Sequence, residues 1–420
     1  MNVIALQCIR CNTRHTVRAV VDGCSKCNEP RSNLRAIYAD DPATRLAGVK
    51  PINSQGLWRY ASMLPISTDN VITLQEGGTP LLQASRLGEW IGHERLYLKD
   101  ETRNPTWSYK DRLSSVAVAV AKYLNAKVLA TASSGNAGAS LAAYAARAGM
   151  PCVVFTCAGS AGPMLAQMKK YGAKVISLAR KQDRWPLLAE CIRQFNWFAT
   201  SPYTSPVVGS HPLGIEAYKT MAYEICEDLN WDCPNWVVMP TCYGDGLAGA
   251  WYGFQELRAA GLIERLPKMV AVEVFGSLGA ALATDQDQVP DMQAEFAPLA
   301  VSVGATQSSY QALNAIRESG GQALSVGNEG LVAMQAKLAE TEGVFAELSA
   351  VMPLIAIERL KRMGQIRPLD SVVGVVTASG LKDLDKSTVC TEDEEPVQGN
   401  FGEVVNFLVK CMNFNPVQGR

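Results

Sequence analysis

The chain has 420 residues, 48% of them hydrophobic, which is enough for two or more domains with buried cores. Its 39 Lys and Arg nearly balance 40 Asp and Glu, so no bulk field draws it to nucleic acid or an anionic membrane, and a small molecule is the expected partner. The chain does not open on a charged segment followed by an apolar run, and it contains no uninterrupted apolar stretch of about 18 residues, so a cytoplasmic protein is expected. Eight of the twelve cysteines are scattered singly, the pattern of free thiols in a reducing compartment.

The other four are paired. Cys8-Ile9-Arg10-Cys11 and Cys24-Ser25-Lys26-Cys27 are two C-x-x-C knuckles at nearly zinc-ribbon spacing. Four thiolates at Cys8, Cys11, Cys24 and Cys27 would close a tetrahedron, a structural site rather than a catalytic one, with no position left for His15. The alternative is four reduced thiols without metal. Asp41-Pro42 and Lys50-Pro51 then break the chain, and Gly56 to Tyr60 offers aromatic anchors for a connector. Gln75 to Leu81 makes a turn, and Leu96 to Lys99 alternates as a short strand that leads into Thr102 to Arg112.

Beyond Lys110 the pattern is periodic. Helices are expected at Leu113 to Leu124, Gly138 to Ala148 and Met164 to Tyr171, and strands at Lys127 to Ala132, Cys152 to Thr156 and Lys174 to Leu178. Such alternation implies a mostly parallel sheet, with ligands at the C-terminal strand ends, where Ser133 to Gly138 falls. A second unit begins with a strand at Trp236 to Pro240, and its loop, Thr241 to Gly249, opens a helix to about Ala260. Further strands are expected at Met269 to Val274 and Val372 to Val376, with helices at Leu331 to Ala339 and Ala350 to Met363. Glycines from Gly244 to Gly249 let successive N–H groups turn inward above a helix start, the chemistry of a phosphate cup. The cup ends in no Gly-Lys-Ser/Thr and lacks the dinucleotide fingerprint. A lysine on one strand–helix loop and a phosphate cup on another suggest a phosphorylated aldehyde cofactor.

Asn104-Pro105-Thr106-Trp107-Ser108-Tyr109-Lys110-Asp111-Arg112 resembles the lysine motif of threonine synthases, among the fold-type II (tryptophan synthase β-like) enzymes that use pyridoxal phosphate. Glu76 to Leu81, Ser133 to Gly138, Glu216 to Thr220, Arg317 to Gly321, Glu342 to Phe345 and Thr377 to Asp383 are similar to further family motifs, and many members carry a four-cysteine N-terminal ribbon. The resemblance implies an α/β fold of two open domains with the cofactor in the cleft between them. It implies that Lys110 holds the cofactor as a Schiff base and moves protons as base and acid. Asn136 would meet the ring hydroxyl oxygen, and Gly244, Asp245, Gly246 and Leu247 would hold the phosphate by backbone N–H groups. Thr377 would meet the pyridine nitrogen through a hydroxyl, which favours elimination and replacement over transamination. Ser133, Ser134, Gly135 and Ala137 would line the substrate, with the first three taking its carboxylate.

Several positions depart from the pattern. Trp107 and Leu113 replace glycines, and Ala137 and Gly214 stand where the family has a threonine and an arginine that help hold the substrate's phosphate. His211 could supply a replacement contact there, although a turn histidine before Pro212 is the simpler reading. The expected domains are a ribbon at 1–40, a connector and first part of the large domain at 41–113, a small α/β domain at 114–200, the large domain at 201–385 and a tail at 386–420. Within the tail, Glu392 to Pro396 reads as an acidic linker and Val404 to Met412 as a short helix. The leading function is a threonine synthase-like lyase of amino-acid biosynthesis, converting O-phosphohomoserine to threonine and phosphate or acting on a related small amino acid. The alternatives are a β- or γ-replacement enzyme or serine/threonine-type dehydratase, and an inactive binding protein on the same fold. A homodimer follows from resemblance alone.

Overall fold

Trp236–Pro240 and Val372–Val376 are buried at every residue, as strands covered on both faces must be. They lie at the centre of the larger of two parallel arrays. The computed structural model describes residues 1–18, 20, 22–49, 56–160, 162–387, 397, 399–410, 412, 414 and 415. Strands β1 (Val3–Cys8), β2 (Arg14–His15) and β3 (Leu34–Tyr38) form an antiparallel sheet in the order β2-β1-β3. Strands β4 (Leu81–Gln83) and β5 (Leu96–Asp100) start a six-stranded sheet that the chain leaves unfinished. It first builds a parallel sheet from β6 (Leu129–Ala132), β7 (Cys152–Cys157), β8 (Lys174–Leu178) and β9 (Phe198–Ala199), ordered β8-β7-β6-β9. It then returns with β10 (Trp236–Pro240), β11 (Lys268–Glu273), β12 (Gln322–Ser325) and β13 (Val372–Val376). The completed order is β12-β11-β10-β13-β5-β4, and only β4 runs antiparallel.

This topology brings the functional loops together. In the larger sheet β10 is followed by β11 and β12 on one side while β13 and β5 lie on the other, and a crevice opens at such a switch point beyond the C-terminal strand ends. The loops after β5, β10 and β13 all emerge there, and the loop after β6 is the equivalent of the smaller sheet. Two helices with buried, alanine-rich faces, Lys110–Tyr123 and Asn136–Ala148, pack on each other, and their small side chains permit the close approach. Several elements begin earlier than periodicity suggests. The helices after the lysine loop, the Ser133 loop and the glycine loop start at Lys110, Asn136 and Asp245. Each starts on residues whose apolar period is not yet established, which is why pattern alone sets their beginnings too late.

The chain forms two compact units, Met1–Leu384 and Asp385–Arg420. The first contains all three sheets, and the second a helix at Phe401–Lys410, against Val404 to Met412 expected. The acidic run expected as a linker lies outside the described residues. Among those residues, no helix is long and apolar enough to cross a membrane.

Candidate active site

The lysine loop is held by its own carboxylate. The backbone N–H and hydroxyl of Thr106 both donate to Asp111 at 2.6 Å, and Ser140 Oγ from the helix behind the Ser133 loop donates to it at 2.6 Å. One side chain thus fixes the lysine loop to the second loop of the site. Burial raises the Asp111 pKa to about 6, against the hydrogen bonds from Ser140 and Thr106. Lys110 is the first residue of its helix, with Nζ 4.8 Å from the centre of the Tyr109 ring, which in turn stacks on Tyr218 at 5.0 Å. Burial pulls the Lys110 ammonium downward, but Tyr109, Tyr218 and Asp245 outweigh it and hold its pKa well above the ordinary lysine value.

Lys110 opens onto a cavity of about 320 Å³ whose wall also includes Ser133 to Ala137, Asp245 and Thr377. Eight of the eleven residues expected at the site from sequence, Ala137 among them, therefore line one chamber. Gly244, Gly246 and Leu247 are not part of its wall; they form the first turn and cap of the helix Asp245–Ala259 behind Asp245. A helix start leaves its first N–H groups without intrahelical acceptors, the general requirement of an anion seat. Gly244 is required there. It sits at φ +80°, and a Cβ would fall 2.2 Å from that of Ala312. The Asp245 carboxylate is turned aside, accepting from Ser210 N–H at 2.9 Å, Ser210 Oγ at 2.6 Å and Gln311 Nε2 at 2.7 Å.

Asn136 Nδ2 donates to Glu347 Oε2 at 2.9 Å, while its Oδ1 is buried with no hydrogen-bond partner among the described residues. Glu347 lies at the start of the helix Leu348–Arg362. Burial, with help from Asp383, raises its pKa to about 7 against the hydrogen bonds from Asn136 and Ser302. Nearby, burial lowers Lys382 to about 8 against the attraction of Asp111 and Glu347.

Two of the departures from the family pattern lie away from the chamber. Trp107, which replaces a glycine three residues before Lys110, is not part of the cavity wall. It is 42% exposed, its ring lies 6.0 Å from Lys382 Nζ, and its φ of 65° is the left-handed conformation that a glycine adopts without cost. Gly214 does not face the cavity either. A Cβ on it would meet Ala117 Cβ at 3.1 Å and Leu113 Cγ at 3.2 Å, so the leucine at 113 and the glycine at 214 fill one volume between them. A larger residue at 214 would first have to displace Ala117 or Leu113.

A family model described as pyridoxal-phosphate dependent enzyme matches residues 72–378. Threonine synthase of Methanocaldococcus jannaschii is 32% identical over 399 residues, spanning 93% of this chain and 96% of that protein. Threonine synthase of Methanosarcina acetivorans is 34% identical over 399 residues, spanning 93% and 95%. The chain belongs to the pyridoxal-phosphate dependent enzymes. It is a threonine synthase-like lyase of fold type II. Solved structures agree on the fold. Threonine deaminase isoform 2 from Solanum lycopersicum, in its processed form, matches with TM-score 0.64 at 17% identity, covering 83% of this chain and 92% of that one. Maize serine racemase matches with TM-score 0.61 at 17% identity, covering 73% and 89%.

The residues present fit a pyridoxal-phosphate enzyme. A lysine amine, an unpartnered buried amide oxygen at Asn136, a helix start for the phosphate and a buried hydroxyl at Thr377 share one site. The family motifs outside the cavity hold it in shape. Arg112, fully buried, bridges Glu101 at 2.7 Å and Glu224 at 2.7 Å, and Gly77 N–H and Gly78 N–H donate to Asn104 Oδ1 and Glu224 Oε1 at 3.0 Å each. The Glu76 turn, which asks for nothing by itself in the sequence, is thus part of the scaffold of the lysine loop. The Sγ atoms of Cys8, Cys11, Cys24 and Cys27 all lie within 4.8 Å of one another and could hold a metal ion; His15 is not among them. Sequence reasoning missed Lys181, Arg184, Tyr243, Ser302 and Glu347, all on the cavity wall. Glu347 falls two residues beyond a recognised motif, but nothing in the sequence marks the two cations.

Proposed function

We propose that the enzyme acts on a small L-amino acid bearing a phosphate ester on its side chain, with conversion of O-phosphohomoserine to threonine and phosphate as the most specific form. The observation that carries this reading is the likeness to threonine synthases along nearly the whole chain, together with a cavity holding Lys110, Asn136 and Thr377. When bound, the cofactor supplies an electron sink for the carbon next to the amino group. Lys110 would hold it and, once displaced by substrate, move protons at that carbon and its neighbours. The N–H groups of Asp245, Gly246 and Leu247 would hold its phosphate, Asn136 Oδ1 would meet its ring hydroxyl, and the Thr377 hydroxyl its ring nitrogen. Ser133, Ser134 and Gly135 would take the substrate carboxylate at the start of Asn136–Ala148.

A second reading, replacement or deamination of another small amino acid, is favoured by Ala137, whose methyl group offers a phosphate no hydrogen bond. Zinc is the metal we assign to the four cysteines. Cys8 and Cys27 Sγ are 3.7 Å apart and Cys11 and Cys24 Sγ 3.6 Å, close to the edge of a tetrahedron with Zn–S bonds of about 2.3 Å.

The test is to record the visible spectrum of the purified enzyme and titrate it with O-phosphohomoserine while following phosphate and threonine. Stoichiometric release of both is expected, and Lys110→Ala should abolish it. A cofactor band without phosphate release would move the function to the second reading, and full activity in Lys110→Ala would overturn the site.

A further inference from the structure

The described residues include four buried arginines: Arg45, Arg59, Arg112 and Arg184. Three are paired with carboxylates, Arg45 with Glu256 at 2.9 Å, Arg112 with Glu101 and Glu224 at 2.7 Å, and Arg59 with Glu227. Arg184 is not. It is 8% exposed, its Nε donates to the Lys181 carbonyl at 3.2 Å and its Nη1 to Ser134 Oγ at 3.3 Å, and it forms no ion pair with any described residue. A guanidinium removed from water without a counter-ion is a costly arrangement that an arriving anion relieves. Its position says which anion. Arg184 and Lys181 both line the Lys110 cavity and also a vestibule of about 740 Å³ outside it, with Tyr243 as a further shared wall. The two cations therefore lie between the Lys110 chamber and the second cavity, away from the helix start at Asp245 to Leu247 proposed for the cofactor's phosphate.

We propose that Arg184, assisted by Lys181, receives the dianionic group on the substrate's side chain, the role for which Ala137 and Gly214 are unsuited, and that the departing phosphate leaves through the vestibule. This rests on the phosphate-ester reading of the function. A guanidinium offers a phosphate two parallel N–H donors.

The experiment uses Arg184→Gln and Arg184→Lys in the cofactor-loaded enzyme, with equilibrium spectral titrations of 2-amino-5-phosphonopentanoate and of norvaline, its analogue without the phosphonate. Arg184→Gln should weaken the phosphonate about 100-fold, weaken norvaline far less, leave cofactor affinity unchanged, and be partly rescued by lysine. Equal losses for both amino acids would place Arg184 on the α-carboxylate, and loss of cofactor affinity would place it on the cofactor's phosphate; either overturns the proposal. If wild type prefers the phosphonate through Arg184 yet releases no phosphate from O-phosphohomoserine, the anion site stands and the threonine-forming reading fails.

Discussion

Glu347 holds a proton in the folded protein that it has lost in the unfolded chain over the window between its ordinary value of 4.5 and its folded value of about 7. Native protein binds more protons there, so this group's contribution makes stability fall as pH rises through that window. The difference corresponds to about 3 kcal/mol by pH 8. Glu347→Gln should therefore be the more stable protein at pH 8, with little difference at pH 4, as read by urea unfolding without cofactor. An unchanged slope in the variant would show that Glu347 is ionised in the fold. Trp107 gives the opposite kind of residue. Trp107→Gly removes a left-handed tryptophan, worth about 1–2 kcal/mol, but frees the unfolded chain by a comparable amount, so cofactor affinity and stability should both change little. A tenfold loss of cofactor affinity would mean that the indole reaches the cavity. Lys110, Asn136 and Thr377 are legible because each sits inside a contiguous motif; Arg184 is not, because what marks it is its lack of an ion pair with any described residue, which only the fold shows.

At the level of elements, central strands such as β10 and β13 were readable because burial on both faces writes continuous apolar runs, whereas β1 to β3, the short β4 and β9, and the half-buried β12 were not. The helix starts were not, because Lys110, Asn136 and Asp245 are polar residues that serve as first turns. Gly214 shows why a motif comparison along one element misleads. The loss of an arginine there reads as a lost phosphate contact, yet the neighbouring helix has filled the same volume with Leu113 and Ala117. Gly214→Arg should overpack that contact and bury an unpaired charge, costing more than about 3 kcal/mol, with a fall in thermal midpoint and no gain with phosphorylated substrates. A stable variant with improved phosphate release would return this short helix, Pro212–Ile215, to the substrate pocket.

Across the whole first unit, the four-cysteine sheet is connected to Asp245, on the wall of the Lys110 cavity, by a run of hydrogen bonds. Asn33, beside β3, donates to the Ser210 carbonyl at 3.1 Å and to Gln311 Oε1 at 3.0 Å. Gln311 Nε2 then donates to Asp245 Oδ1 at 2.7 Å, at the first turn assigned to the cofactor's phosphate. The same sheet is tied down by Tyr38 to Glu216 at 2.8 Å and Arg10 to Asp287 at 2.9 Å. A three-stranded sheet this small has little core of its own, so a metal at its thiols would contribute directly to its folding. Removing the metal with a chelator, or by Cys24→Ser with Cys27→Ser, should lower the thermal midpoint by several degrees and weaken cofactor affinity, while the absorption maximum of the remaining loaded enzyme stays in place. Asn33→Ala should weaken cofactor affinity without changing metal content, because it cuts the connection and leaves the thiols intact. If the cysteine variants lose their metal but keep both thermal midpoint and cofactor affinity, the sheet folds by its packing alone and the path through Gln311 carries nothing to the site.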